Sequence, residues 1–265
     1  MFTAHGRSDT GRQRSGNEDH YVCQNLDGLN GHCLIAAVAD GMGGHAGGQI
    51  ASEIAVQVLQ SQVGALDRAP EPTAAARLLR AVYETANREI LDRAAADLEL
   101  ADMGTTMVTA VVNDSSLTLA NLGDSRAYLL RNGVLGQMTV DHSWREEARQ
   151  HNMSEEEISM SPFRETITRS LGVDDAVKLD LVDVRLRPGD RILLCSDGVH
   201  DLLTDAEIRS ALASPDGPEE TSRRLIDEAN AAGGYDNSTC VLVHVEATNA
   251  SSELTAGVRS GVLES

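Results

Sequence analysis

Residues 32–48, HCLIAAVADGMGGHAGG, join an apolar run to an aspartate and then to five glycines within eight residues. The apolar run ends at a turn signal, so residues 32–39 are predicted to form a buried strand. Asp40 would then stand on rigid structure where the strand ends, with few side chains beside it. An isolated Asp-Gly pair is ordinarily a turn, so the meaning of Asp40 depends on whether similar acids recur.

Acidic residues do recur at the ends of other predicted strands. The run RILLC at 191–195 leads, after one serine, to Asp197 and a glycine, which repeats the pattern around Asp40. The acidic stretches NED at 17–19 and DN at 236–237 border two further strands. Carboxylates that converge on one sheet edge repel one another unless a positive charge lies between them. Oxygen ligands favour Mg²⁺ or Mn²⁺ over zinc, and a pair of such ions can activate water for phosphoester hydrolysis.

A phosphate dianion also requires a fixed cation. Arg14 lies four residues before Glu18 in RSGNED, and a guanidinium binds phosphate through paired donors. An arginine in a polar loop is ordinarily a solvated charge. The neighbouring acids are what make Arg14 a candidate phosphate clamp.

The order of predicted elements favours an α+β layered sandwich over a doubly wound parallel sheet, because strand runs are grouped apart from helix pairs. Thr204 and Glu207 make a capping box at one helix start. The predicted strands span residues 19–25, 32–39, 105–112, 116–122, 125–131, 179–185, 191–195 and 238–246. The predicted helices span residues 48–63, 73–98, 204–213 and 218–232.

One domain over residues 1–247 is expected, because 265 residues with 41% hydrophobic content can bury one sizeable core. Residues 143–165 are polar and helix-prone, with a capping box at Ser154 and Glu157. They interrupt the strand pattern and are interpreted as an inserted surface flap. Residues 248–265 have little periodicity and are expected to form a mobile tail.

Composition argues against several classes of protein. The formal net charge of −19 argues against a nucleic-acid-binding protein, which would carry a basic face. The same charge favours a basic segment in any substrate. No run approaches the roughly 18 apolar residues of a membrane span, and the N-terminus lacks the apolar centre of a signal peptide. A cytoplasmic protein is therefore expected. The four cysteines lack zinc-site spacing and are expected to be reduced.

Eight stretches, in order, resemble the metal-dependent protein serine/threonine phosphatases of the protein phosphatase 2C (PPM) type, in their bacterial form. The resemblance covers about residues 3–246 and implies a four-layer α-β-β-α sandwich of two antiparallel sheets flanked by helix pairs. It also implies hydrolysis of phosphoserine and phosphothreonine in proteins. The stretches are SDTGRQRSGNEDHY, VADGMGGHAGG, MGTTMVTAVV, LANLGDSRAYLLRNG, TVDHS, TITRSLG, GDRILLCSDGVHDLL and YDNSTCVLVHV.

The same resemblance assigns roles to individual residues. Asp40 would bridge two Mn²⁺ or Mg²⁺ ions, and the carbonyl of Gly41 would ligate one of them. Asp197 and Asp236 would ligate the other ion, and Arg14 would bind the substrate phosphate. A metal-activated water would attack phosphorus without a covalent phosphoenzyme.

Four further acids match more weakly. Glu18 and Asp19 match acids that act directly or through bound water. Asp124 and Asp201 match a third, weaker metal site of bacterial members, although an aspartate after a glycine can also cap a turn.

Three departures from the family pattern affect the catalytic acid and the flap. Met42 stands where some members carry a histidine that can protonate the leaving group, which leaves His45, three residues later, as the candidate general acid. His200 replaces the usual tryptophan of SDGLWD, and residues 161–165, SPFRE, differ from the HPxRN of bacterial relatives. Every metal-matching acid is present, so the departures concern substrate preference rather than metal binding.

The expected partners are phosphorylated proteins, the substrates of a serine/threonine kinase in a signalling system, and the protein is expected to be a monomer. Two alternatives stay open from the sequence. The chain could be a weakly active or non-catalytic regulatory module that binds phosphoproteins, or a phosphatase of small phosphomonoesters or phosphotyrosine. The flap and its surroundings would decide the substrate preference.

Overall fold

The computed structural model describes residues 1–26, 32–44, 46–113 and 115–246. His45 and the predicted tail at 248–265 therefore lie outside the described residues. Within the described ranges, all the strand pairs are antiparallel, and they build two five-stranded sheets and one two-stranded sheet. This arrangement confirms the predicted α+β class.

Twelve strands and seven α-helices occur in the described part of the chain. The strands are β1 (Phe2–Asp9), β2 (His20–Asn25), β3 (Cys33–Ala39), β4 (Gly41–Met42), β5 (Gly104–Thr105), β6 (Met107–Asn113), β7 (Ser116–Leu122), β8 (Arg126–Arg131), β9 (Val134–Gln137), β10 (Asp180–Arg185), β11 (Arg191–Cys195) and β12 (Ser238–Val245). The helices are α1 (Gly47–Gly64), α2 (Pro72–Ala96), α3 (Trp144–Gln150), α4 (Glu155–Met160), α5 (Asp197–His200), α6 (Asp205–Ala213) and α7 (Pro218–Ala231).

The two large sheets draw on distant parts of the chain. One has the order β1-β12-β11-β8-β9, and the other has the order β10-β7-β6-β3-β2. Strand β1 pairs with β12 along its whole length, with Phe2 opposite Val245 and Asp9 opposite Ser238. Because the end of β1 lies opposite the start of β12, the loop that follows β1 lies beside the residues that precede β12.

Strand β3 explains why its sequence is continuously apolar. Leu34 and Val38 belong to the apolar layer between the two large sheets, whereas Ile35 and Ala37 pack into the layer beneath α1 and α2. Because successive side chains point to opposite faces, a strand buried on both faces needs apolar residues at every position. All seven residues of β3 are buried.

A third apolar layer lies on the other side of the molecule. Leu193 and Leu242 of the first sheet pack with Ile208 of α6 and with Leu225 and Ile226 of α7. The order of layers is therefore helices, sheet, sheet, helices, which confirms the predicted four-layer sandwich.

The sequence placed most of these elements correctly. All eight predicted strands and all four predicted helices are present, with ends shifted by two residues or fewer. Both predicted capping boxes form, at Ser154 with Glu157 and at Thr204 with Glu207. The prediction missed β1, β9, the short strands β4 and β5 and the single turn α5. No helix in the described ranges is both long enough and apolar enough to cross a membrane.

Candidate metal centre

Five aspartates meet where strands of the two large sheets end. Each is adjacent to a strand or a few residues from one, and burial together with mutual repulsion raises several of their pKa values. Two carboxylates in such surroundings are costly to ionise together. We call this group the acid centre, and its members are Asp19, Asp40, Asp124, Asp197 and Asp236.

Asp40 is in electrostatic reach of all the other members. Burial raises its pKa well above the ordinary value, and the charges of the four other aspartates raise it further. Its backbone is held from two sides. The Thr105 hydroxyl and the Thr106 N–H donate to the Asp40 carbonyl oxygen at 2.8 and 2.9 Å, and the Asp40 N–H donates to the Thr106 hydroxyl at 3.2 Å. These bonds fix the end of β3, so the direction of the carboxylate is set by the sheet.

The glycines that follow Asp40 and Asp197 permit close backbone approach. A Cβ on Gly41 would overlap the Gly48 carbonyl group, and a Cβ on Gly198 would overlap the Asn237 carbonyl group. Only glycine fits such approaches without displacing backbone. The shared Asp-Gly pattern is thus a packing requirement as well as a turn signal.

Asp19 is 5% exposed and is oriented by a hydroxyl. Ser196 Oγ donates to its Oδ2 at 2.9 Å, whereas its Oδ1 is buried without a hydrogen-bond partner. Burial raises the pKa of Asp19 to about 7, against hydrogen bonds that lower it, and the charges of Asp197 and Asp236 add to the rise. One oxygen is therefore fixed and the other is left for a further ligand.

Asp124 and Asp197 repeat this pattern. Each has a buried Oδ1 without a hydrogen-bond partner. Burial raises the pKa of Asp124 to about 7, with the charge of Asp197 as the next cause. Burial also raises the pKa of Asp197, followed by the charge of Asp236.

These oxygens fit a divalent cation. A buried polar atom without a partner costs free energy, and here three such oxygens belong to carboxylates that also repel one another. No group of three or more His, Cys, Asp or Glu side chains within the described ranges is arranged to hold an ion by itself. Backbone carbonyls and water would have to complete the ligand set, which is how Mg²⁺ is commonly bound.

Arg14 reaches the rim of the acid centre across 222 positions of sequence. Its Nη2 donates to Asp236 Oδ2 at 2.6 Å, and its side chain is 53% exposed. Burial lowers the pKa of Arg14, but Asp236, Glu18 and Asp197 together raise it above the ordinary value. The guanidinium is therefore cationic, partly open to solvent, and adjacent to the acids.

The loop that carries Glu18 is held by Asn237, which the sequence reasoning did not single out as functional. Asn237 Oδ1 accepts from the Glu18 N–H at 2.8 Å, and Asn237 Nδ2 donates to the carbonyls of Thr10 and Gly16 at 2.9 Å each. Three hydrogen bonds of one side chain thereby tie the loop between β1 and β2 to the start of β12. An asparagine after Asp236, with an amide able to bond to nearby backbone, was the available signal.

Asp201 lies at the edge of the acid centre, beside His200. Burial raises its pKa, but the neighbouring His200 and the charges of Arg145 and Arg126 outweigh burial, so its pKa is lowered. The structure thus brings Arg14, Glu18 and all the predicted aspartates to one region. His45, the predicted general acid, lies outside the described residues.

Comparisons with known proteins agree with this geometry. A family model described as protein phosphatase 2C matches residues 8–231. The chain is 39% identical over 247 residues to the serine/threonine phosphatase stp of Listeria monocytogenes, with 91% of this chain and 95% of the relative covered. It is 36% identical over 240 residues to the phosphatase PstP of Mycobacterium tuberculosis, with 90% of this chain and 44% of PstP covered.

Solved structures give the same result. The serine/threonine phosphatase of S. agalactiae superposes with a TM-score of 0.86 at 32% identity and covers 93% of this chain, with all of that chain matched. The catalytic domain of PstP in complex with two manganese ions superposes with a TM-score of 0.79 at 33% identity, over 93% of this chain and 99% of that one. The chain belongs to the protein phosphatase 2C family.

Proposed function

We propose that the chain hydrolyses phosphoserine and phosphothreonine in proteins at the acid centre, with two Mn²⁺ or Mg²⁺ ions as cofactors. The observation that carries the proposal is the set of three aspartates whose buried oxygens lack a hydrogen-bond partner, beside a half-exposed arginine. Stability alone does not explain such a cluster, because buried like charges oppose folding. Family membership and the two manganese ions of the PstP catalytic domain support the same assignment.

The residues divide into ligands and supports. Asp40, Gly41 through its carbonyl, Asp197 and Asp236 would hold the two ions, and Glu18 and Asp19 would act directly or through water. When bound, the ions would supply an activated water and positive charge for the phosphoryl oxygens.

Several neighbours keep these ligands in place. Ser196 keeps one oxygen of Asp19 occupied, so the carboxylate presents its other oxygen to the centre. Thr105 and Thr106 keep the backbone of Asp40 from moving.

Arg14 would bind the substrate phosphate. Its guanidinium already binds a carboxylate of the centre at 2.6 Å, which is the kind of planar oxyanion that resembles a phosphate edge. On substrate binding, the phosphate would replace Asp236 as the partner of at least one N–H group. The partial exposure of Arg14 leaves it accessible for this exchange.

Asp124 and Asp201 would contribute a third, weaker cation site. Asp124 belongs to the acid centre and Asp201 lies at its edge, and Asp124 has a buried oxygen without a hydrogen-bond partner. His45 remains the predicted general acid, and Met42 occupies the position at which a family histidine would otherwise stand.

The test is Mn²⁺-dependent release of phosphate from p-nitrophenyl phosphate and from phosphoserine, phosphothreonine and phosphotyrosine peptides. The wild-type protein should act on the phosphoserine and phosphothreonine peptides, and Asp40→Asn should lose that activity. Asp227→Asn on the exposed face of α7 is the matched control, because it makes the same change outside the centre and should stay active.

Each alternative has its own outcome. Activity confined to p-nitrophenyl phosphate or phosphotyrosine would establish a phosphatase of other monoesters. A purified, folded protein with no activity on any substrate, and with Asp40→Asn no different from wild type, would favour the regulatory module and refute the enzyme.

A further inference from the structure

The stretch TVDHS at 139–143 has no part in the proposed function, yet its histidine lies close to the acid centre. His142 lies between β9 and α3, and its side chain is only 3% exposed. The His142 N–H donates to the Gly123 carbonyl oxygen at 2.9 Å, and the His142 carbonyl oxygen accepts from the Thr168 N–H at 2.8 Å. The backbone of His142 thus joins the turn before Asp124 to the segment that follows the flap.

The imidazole ring makes a further bond to the same turn. The Gly123 N–H donates to His142 Nδ1 at 3.1 Å. Because a backbone N–H can only donate, Nδ1 carries the lone pair, and the proton of the neutral ring is on Nε2. Burial lowers the pKa of His142 against the contact with Asp180, which raises it, and this agrees with a neutral ring. Both backbone polar groups of Gly123, the residue directly before Asp124, are therefore bound to His142.

Asp180, at the start of β10, receives the proton of Nε2. His142 Nε2 lies 3.2 Å from Asp180 Oδ2 and also 3.2 Å from Arg169 Nη1, and this Nη1 lies 3.5 Å from Asp180 Oδ1. An arginine N–H can only donate, so both donors are directed to the one carboxylate. Without Asp180, the remaining partner of Nε2 would be a donor. The ring proton would then move to Nδ1, and the Gly123 N–H would lose its acceptor.

The turn at Gly123 also touches the support of Asp40. Gly123 has a φ of +111°, and a Cβ there would overlap the side chain of Thr106. The same threonine accepts from the Asp40 N–H at 3.2 Å. The residue before Asp124 is therefore packed against Thr106 and hydrogen-bonded to His142, so the bonds from His142 help to set the direction in which the Asp124 carboxylate leaves the turn.

We propose that His142 and Asp180 are positioning residues for Asp124. The ring of His142, in the tautomer that Asp180 maintains, fixes the Gly123 turn and thereby the carboxylate that follows it. Neither side chain contacts the substrate or a cation. The inference rests on the proposed function, in which Asp124 contributes to the third cation site. Outer partners that orient metal ligands in this way typically cost about 10- to 100-fold in metal affinity or activity when they are removed.

The tautomer of His142 is measured by two-dimensional ¹H–¹⁵N NMR of the full chain, prepared with ¹⁵N-labelled histidine in a buffer that contains Mg²⁺, which is diamagnetic. At pH 7 we expect a neutral His142 ring with its proton on Nε2, assigned by the loss of its signals in His142→Asn. Asp180→Ala should move the proton to Nδ1, because Arg169 Nη1 then remains as the partner of Nε2. Asp183→Ala, three residues further along β10, is the matched control and should keep the Nε2 proton.

The positioning role is measured by calorimetric titration with Mn²⁺ and by kinetics on a phosphothreonine peptide. His142→Leu should weaken the Mn²⁺ site that uses Asp124 about tenfold and lower kcat by a similar factor, with KM nearly unchanged. His142→Asn should recover most of the loss, because its oxygen and Nδ1 are both bonded to Cγ. His142→Gln, whose amide is one carbon further out, should not. His244→Leu, at the far end of β12 from Asp236, is the control and should match wild type.

A wild-type His142 ring that is charged at pH 7, or that carries its proton on Nδ1, would overturn the proposal. An unchanged tautomer in Asp180→Ala would overturn the role of Asp180. If His142→Leu does not fold, as circular dichroism would reveal, equal Mn²⁺ affinities of His142→Asn and His142→Gln would overturn the role of His142. Failure of the proposed function gives a different result, because a protein without phosphatase activity would still show the Nε2 tautomer and the graded Mn²⁺ affinities.

Discussion

In the acid centre, carboxylates with buried oxygens lie close to one another, whereas in the flap (residues 143–165) each arginine has an acidic partner. Arg149 binds Glu155 through two N–H groups, at 2.7 and 3.1 Å, and Arg145 binds Glu165 at 2.9 Å. Asp19, Asp124 and Asp197 instead keep buried oxygens without partners. The arginines of the flap are therefore already paired with carboxylates of the flap itself. The acid centre would be completed by the proposed cations, and so changes in the two regions should have very different consequences.

The largest effect should follow the loss of a carboxylate in the centre. Asp197→Asn keeps the shape but removes a charge that reaches both Asp40 and Asp124. Since loss of groups that merely support metal ligands costs about 10- to 100-fold, we expect at least a 100-fold fall in kcat/KM on a phosphothreonine peptide. Asp183→Asn, on the edge strand β10, is the control. Near-normal activity of Asp197→Asn at low Mn²⁺ would show that the acid centre does not need this carboxylate.

The next largest effect concerns Arg14 at the rim. Arg14→Lys keeps the charge but removes the paired donors, and a charged hydrogen bond contributes about 1.5–3 kcal/mol. We expect kcat/KM to fall roughly 10-fold or more, with most of the change in KM, and Mn²⁺ affinity to change little. Steady-state kinetics at several Mn²⁺ concentrations measure both. If Mn²⁺ binding fell as much as activity, Arg14 would be positioning the metal ligands rather than binding the substrate phosphate.

Without divalent ions, the centre should make stability depend on pH. The pKa values of Asp19 and Asp124 are raised from 3.8 to about 7, so the folded state binds these protons more tightly than the unfolded state. Their protonation stabilises the fold at low pH, and that stability is lost as pH rises through about 7. In the presence of a chelator, the thermal unfolding midpoint of the protein should fall by roughly 3 °C between pH 6.5 and pH 8.

This pH window separates the acids from the histidines. Burial lowers the pKa of His142, and burial with the charge of Arg191 lowers that of His244 to about 4. Groups of that kind destabilise the fold only below the ordinary histidine pKa, so they contribute little above pH 6.5. Saturating Mn²⁺ should remove the downward slope, and Asp124→Asn should reduce it. If the unfolding midpoint did not change with pH in the presence of the chelator, the pKa values of these aspartates would not be raised in the folded state.

The smallest effect should come from the flap. Arg149→Ala breaks a pair in which Arg149 is 41% exposed and Glu155 is 69% exposed, and surface pairs contribute little because water screens them. We expect the unfolding midpoint to change by less than about 2 °C and p-nitrophenyl phosphate hydrolysis to stay unchanged. A large loss of stability would show that the flap is integrated into the core after all.

The sequence predicted those parts that depend on local pattern. The apolar run before Asp40, the similar run before Asp197, and the capping boxes at Ser154 and Thr204 are all encoded within a few residues. Each is formed as expected, because burial on two faces and backbone capping act over short distances. The family resemblance supplied the two-sheet arrangement, which periodicity does not determine.

The rest depends on pairing between distant residues. Strand β1 reads FTAHGRSD, with a glycine and several polar residues, and it is a strand because β12 pairs with it across the fold. The contacts of Arg14 with Asp236 and of Asn237 with Glu18 likewise cross more than 200 positions. Local propensity contains no information about such contacts.

If divalent cations complete the acid centre, calorimetric titration with Mn²⁺ should show it most directly. Titrations at pH 7 in two buffers of different ionisation enthalpy also count released protons. Because Asp19 and Asp124 have pKa values of about 7 and ligands bind metals deprotonated, we predict binding of at least two ions with net proton release. Asp40→Asn should bind fewer ions, and Asp227→Asn should match wild type. Absence of Mn²⁺ binding by the folded wild-type protein, or identical binding by Asp40→Asn, would show that divalent cations do not complete the acid centre.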